Sequence, residues 1–161
     1  MKMDEKYNED VIMLSQGGRK SHAETALMYH ILVQMKRDPN LLHTLHSTSR
    51  IFKITGRLEL DDGFDFSAYD NLFGKYVFKK RIPSWMPQPQ ITNALLVTRL
   101  FSLCPSLIDE YLFILQKNFQ MLDYLDTEHA HFVNIPHDKL IEFDRVYCKG
   151  RVASNGQWEY D

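Results

Sequence analysis

Only two cysteines, Cys104 and Cys148, occur in the 161 residues. That is too few for a disulfide framework, does not match a zinc-ligand spacing, and suits a reducing compartment. Charge of one sign is also scarce: 19 Lys and Arg stand against 21 Asp and Glu, a net charge of −2. A whole-protein field that attracts nucleic acid or anionic lipid is thereby excluded, so any such binding needs a local patch. No long uncharged run exists either. The most apolar region, 94–115, is interrupted by Arg99, Pro105, Asp109 and Glu110, whereas a bilayer span needs ~20 nearly uncharged residues. The opening MKMDEKYNED lacks the apolar segment of a secretory signal. A soluble intracellular protein, of cytoplasm or nucleus, is the expectation.

What is plentiful is apolar and aromatic. Hydrophobic residues make up 44% of the chain, with ten Phe and eight Tyr, enough for a sizeable core in one domain. Residues 1–10 read as a mobile tail and 11–161 as a single α+β domain, with four or five helices packed on a small, mainly antiparallel sheet.

The stretch Gly17-Gly18-Arg19-Lys20-Ser21 invites comparison with a phosphate-binding loop. A Walker A loop needs Lys immediately after its second Gly and another Gly five positions earlier. Here Arg19 follows Gly18 and position 13 is Met. The spacing fits a helix start instead, with Ser21 and Glu24 as a capping box and Ala23, Ala26, Leu27, Ile31 and Met35 on one face. Asp38-Pro39 ends that helix and starts a shorter one. Arg50–Leu60 alternates apolar and polar residues as a strand. Ser67 is placed to cap a helix through Tyr69, Leu72, Phe73, Tyr76 and Val77, unless Gly74 ends it and 75–80 is extended. Helices are expected over 91–103 and 107–125, the latter capped by Ser106 and Asp109. Strands are expected over 129–135 and 140–152, with Ser154-Asn155-Gly156 as a hairpin turn. Segments 54–66 and 148–160 echo one another, best explained as two hairpins obeying the same turn rules.

Three constellations carry chemistry. His129-Ala130-His131, read as a strand, places two imidazoles on one face, with His137, Glu128 or Asp138 as a third ligand for zinc. A metal-dependent enzyme or metal-binding protein would follow. His43 and His46 would share a helical face, with no third ligand assignable. Asp61, Asp62 and Asp65 form an acidic turn whose spacing is not that of an EF-hand. No G-x-S-x-G, H-E-x-x-H or protease-like cysteine context occurs.

The segment VFKKRIPSWMPQPQ carries the most weight. Lys79, Lys80, Arg81, Ile82, Trp85 and Met86 combine three cations with anchoring apolar groups in a proline-stiffened loop. Such a loop fills a partner's pocket, lies in a lipid interface or stacks a base. The acidic balance of the chain ranks a protein partner first, a membrane surface second and nucleic acid last. Helix 107–125 has more apolar surface than one sheet face needs, so it is expected either to be central or to serve self-association into a homo-oligomer through Ile114, Met121 and Leu125. The leading expectation is a non-enzymatic adaptor or assembly subunit without a cofactor. The order of strand 50–60, aromatic helix and basic-apolar loop loosely resembles rhabdovirus matrix proteins. That resemblance implies a viral structural protein that self-associates and contacts membrane.

Overall fold

The computed structural model describes residues 20–84 and 92–151, and the backbone of 158–160. The tail, the Gly17-Gly18 step, Trp85, Met86 and the Ser154–Gly156 turn lie outside the described residues. Two helices come first, α1 (Lys20–Arg37) and α2 (Pro39–Ser47). Asp38 separates them as the N-cap of α2, its carboxylate accepting from the Asn40 and Leu41 amides. The expected Ser21–Glu24 capping box is not formed. Ser21 lies within α1, and Glu24 is ion-paired at 3.3 Å to Lys53.

The expected strand at 50–60 is two strands. β1 (Ile51–Ile54) and β2 (Leu58–Leu60) are parted by a tight turn in which the Leu58 amide donates to Thr55 O. β1 joins a four-stranded sheet of order β1-β6-β3-β7, made with β3 (Tyr76–Lys79), β6 (Leu100–Leu103) and β7 (Leu140–Phe143). Only the β3–β7 pairing is parallel. β2 belongs to a second sheet, β2-β8-β9, with β8 (Cys148–Arg151) and β9 (Trp158–Tyr160). β4 (Ile82–Pro83) and β5 (Ala94–Leu95) form a two-stranded hairpin.

The other two described α-helices are α3 (Ile108–Met121) and α4 (Thr127–Asn134). They pack with α1 over one face of the four-stranded sheet, around Tyr76, Phe78, Phe101, Leu103, Tyr111 and Leu115. On the other face, Leu100 meets Val146 and Cys148, flanked by Phe52, Leu58, Phe64 and Phe143. The fold is thus α+β with mainly antiparallel sheets, as composition and pattern implied.

The strand expected at 140–152 is likewise two, β7 and β8, in different sheets, and other expectations differ. The helix expected at 91–103 is instead β5 and β6. β6 is the buried centre of its sheet, with all four residues out of solvent. A strand buried on both faces has a continuous apolar run, which periodicity cannot tell from a helix. The strand expected at 129–135 falls within helix α4, started by Asp126, whose carboxylate accepts from the His129 amide. The helix after Ser67 is only a 3-10 turn, Phe66–Tyr69, and Gly74 at φ 63° ends the irregular segment before β3. Ser106 does not cap α3: its hydroxyl donates to Cys104 Sγ.

Segments 54–66 and 148–160 are not equivalent. Gly56 lies in the turn between β1 and β2, while Gly150 lies inside β8 opposite Leu58. Gly150 is there for proximity. A Cβ at this position would stand 2.4 Å from Arg57 O and 3.0 Å from Leu58 Cα. Gly150→Ala must therefore push β2 off β8, at a cost of about 1–3 kcal/mol. A thermal melt checks it: an unchanged midpoint would mean the pairing yields freely.

Candidate functional site

The hairpin β4–β5 contains Ile82 and follows directly on Lys79, Lys80 and Arg81. Ile82 pairs with Leu95 and Pro83 with Ala94, and the Ser84 amide donates to Asn93 O at 2.9 Å. The chain is thus fixed at one place on either side of residues 85–91. Lys80 and Arg81, which lead into the hairpin, are internally paired. Lys80 Nζ reaches Asp144 at 3.0 Å. Arg81 engages Glu142 through its backbone amide at 2.7 Å and its Nε at 2.9 Å, and lies 5.1 Å from the centroid of Phe132. The hydrogen bond to Glu142 raises the Arg81 pKa. The same bond holds the Glu142 carboxyl below its ordinary value. Both partners of this bidentate pair thus favour their charged forms. Lys79 ends β3, half-buried.

The root of the hairpin is tied to helix α4. Ser84 Oγ lies 2.7 Å from His129 Nε2. His129 Nδ1 lies 2.7 Å from Asp126 Oδ1, the same oxygen that accepts the His129 backbone amide at 2.9 Å. The carboxylate at Nδ1 selects the tautomer with a proton there, leaving Nε2 to accept the serine hydroxyl. The His129 side chain is 1% exposed, that of Asp126 28%. Beside this line, the Leu96 amide donates to Glu128 O and the Thr98 amide to Glu128 Oε1. Burial raises the Glu128 pKa, partly opposed by the Thr98 amide.

His131 lies elsewhere. Two residues along a helix turn the side chain about 200°, so it faces the core while His129 faces the hairpin. Its Nδ1 donates to Thr127 O at 2.7 Å and its Nε2 accepts from the Tyr111 hydroxyl at 2.9 Å. The buried Asn118 stands 3.2 Å from Nδ1. His137 is on an exposed 3-10 turn with Nε2 3.3 Å from Phe132 O. The three histidines expected to share a metal are therefore not brought together. Among the described residues, no group of three or more His, Cys, Asp and Glu is arranged to hold an ion. Asp61 and Asp65 act within their own turns, accepting from the Gly63 and Ser67 amides.

The residues expected to serve self-association face inward. Ile114 and Leu125 are 3% and 4% exposed, and Met121 is half-buried with its sulfur against Asn134 Nδ2. The sequence reading misplaced the helix face because Tyr111 and Asn118 stand at its buried centre. Phe113 and Phe119 are the apolar side chains α3 shows to solvent. No helix among the described residues is long and apolar enough to cross a membrane.

The serine–histidine–carboxylate line is the feature that sequence reading missed. Ser84 follows β4 whereas Asp126 and His129 open α4, and the three match no local motif. Only the pairing of β4 with β5, and the packing of β5 on α4, joins them. In comparisons with protein-family models, curated proteins and solved structures, none matches this chain.

Proposed function

We propose that the chain is an assembly or adaptor subunit that docks a protein partner through the segment from Lys79 to Met86. The observation that supports this reading is the fixed root of the β4–β5 hairpin. It is held by strand pairing, by Arg81 on Glu142 and by Ser84 on His129. A recognition segment anchored this way loses less entropy on binding than a free loop. The internal pairing of Lys80 and Arg81 favours a protein partner over lipid or nucleic acid, because compensated cations release fewer counterions at a polyanion. It weighs equally against the membrane-contacting role that a matrix-like protein would have.

The test is native mass spectrometry of the protein isolated at endogenous levels, beside the Trp85→Ala/Met86→Ala double variant. The wild-type chain is expected to carry a stoichiometric protein partner, and the variant to run bare with a melting temperature within about 3 °C of wild type. A retained complex overturns the reading. So does a fall of about 10 °C or more, which would place Trp85 in the core, where truncation costs about 3–5 kcal/mol.

A further inference from the structure

Ser84, His129 and Asp126 do more than a clamp requires. A helix cap needs only the Asp126 carboxylate and a backbone amide. A serine holding a histidine needs no carboxylate behind the ring. Here the three are in line, with 2.7 Å between Ser84 Oγ and Nε2 and 2.7 Å between Nδ1 and Asp126 Oδ1. His131 is the internal contrast: equally buried and fully hydrogen-bonded, it has a tyrosine and a carbonyl as partners. The line of nucleophile, base and orienting carboxylate is the arrangement that activates a hydroxyl for attack on a carbonyl. Three further facts suit that chemistry. The His129 ring is shielded from water, so its bonds meet little competition. Asp126 is partly solvated, with Oδ1 turned to the ring at Nδ1. Ser84 is half-buried at the end of β4, its backbone fixed by the bond to Asn93 O.

We propose that Ser84 is an activated nucleophile that takes an acyl group from a carboxylic ester, with His129 as general base and Asp126 as a positioning residue. This stands apart from the docking reading and does not rest on it. Ser84 Oγ attacks the ester carbonyl carbon as its proton passes to His129 Nε2. The tetrahedral adduct collapses, the bond to the alkoxy oxygen breaks, and the imidazolium returns the proton to the departing alcohol. Asp126 holds Nδ1–H throughout and stabilises the charged ring, without taking the proton.

The experiment uses the full chain and a fluorophosphonate probe, in which an Oγ–P bond forms as P–F breaks. Peptide mass spectrometry locates the adduct, and release of p-nitrophenolate from p-nitrophenyl acetate gives the matching acyl-transfer rate. One adduct is expected, on Ser84, in the folded protein and not in urea. Ser84→Ala abolishes it. Asp126→Asn slows labelling and release at least about a hundredfold, yet melts within about 3 °C of wild type because Asn caps a helix as well as Asp. Absence of an adduct on Ser84 overturns the proposal. So does labelling at the same rate in urea or in Asp126→Asn. Either result would leave the three residues as a clamp between hairpin and helix.

Discussion

Arg50→Met lowers the melting temperature by about 10 °C, a loss near 3 kcal/mol. The guanidinium donates three hydrogen bonds, to Ser102 Oγ at 2.8 Å and to the carbonyls of Leu72 and Lys75 at 3.0 Å each. It thereby ties the start of β1 to the middle of β6 and to both flanks of the left-handed Gly74. Ser102 is wholly buried. Methionine fills similar space but donates nothing, and each buried acceptor left alone costs about 1–3 kcal/mol. The two carbonyls can recover water in part, which sets the sum at the lower end. Arg50→Lys is the control: one ammonium cannot reach three acceptors spread in a plane, so it falls between methionine and wild type. Thermal denaturation of the three proteins decides the matter. An Arg50→Met chain within 2 °C of wild type would show that the turn at 72–75 holds itself.

Acid destabilises the protein through His131. This imidazole is fully buried, and burial, seconded by the charge on Lys53, depresses its pKa from 6.5 to about 4. The bond to Thr127 O and the charge on Glu24 oppose that shift without overcoming it. Tyr111 faces its other nitrogen. The folded chain therefore stays neutral at His131 where the unfolded chain already binds a proton. The stabilisation is complete above about pH 6.5 and drains away as pH falls toward 4. At ~1.4 kcal/mol per pH unit it amounts to about 3 kcal/mol in all. Other groups titrate in the same range, so the measurement is a difference. Unfolding free energies at pH 7 and pH 4.5 are compared for wild type and His131→Gln. The wild type should lose about 2–3 kcal/mol more than the variant between those two pH values. Equal losses would mean that His131 is protonated within the fold.

Where a signal was local, the sequence revealed the element. Asp38-Pro39 marked the break between α1 and α2, and the run at 107–125 marked α3. Signals that depend on what lies across the fold were not legible. The centre of a sheet has no polar face, so β6 read as a helix. Asp126 begins α4 without the Glu or Gln that completes a capping box, so the alternation of His129 and His131 suggested a strand. That error created the expected metal pair, since the same residues two positions apart point together in a strand and apart in a helix. The candidate site suffered most. Lys80 and Arg81 looked like a bare basic patch because their partners Asp144 and Glu142 lie far along the chain. Ser84 and His129 meet only after a hairpin has docked on a helix.

The parallel pairing of β3 with β7 bears on the order of events during folding. Tyr76 finds its partner at Leu140, and Ile51 finds its own at Leu103. Each pairing closes a long loop whose entropy must be surrendered before any contact repays it. The helix pair α1–α2 needs only its neighbours. A chain emerging from the ribosome can thus form its helical hairpin early, yet must wait for residues 140–143 before the four-stranded sheet is complete. Until then the unpaired side of β3 is an open edge, and that interval is when the chain is most exposed to pairing with another strand.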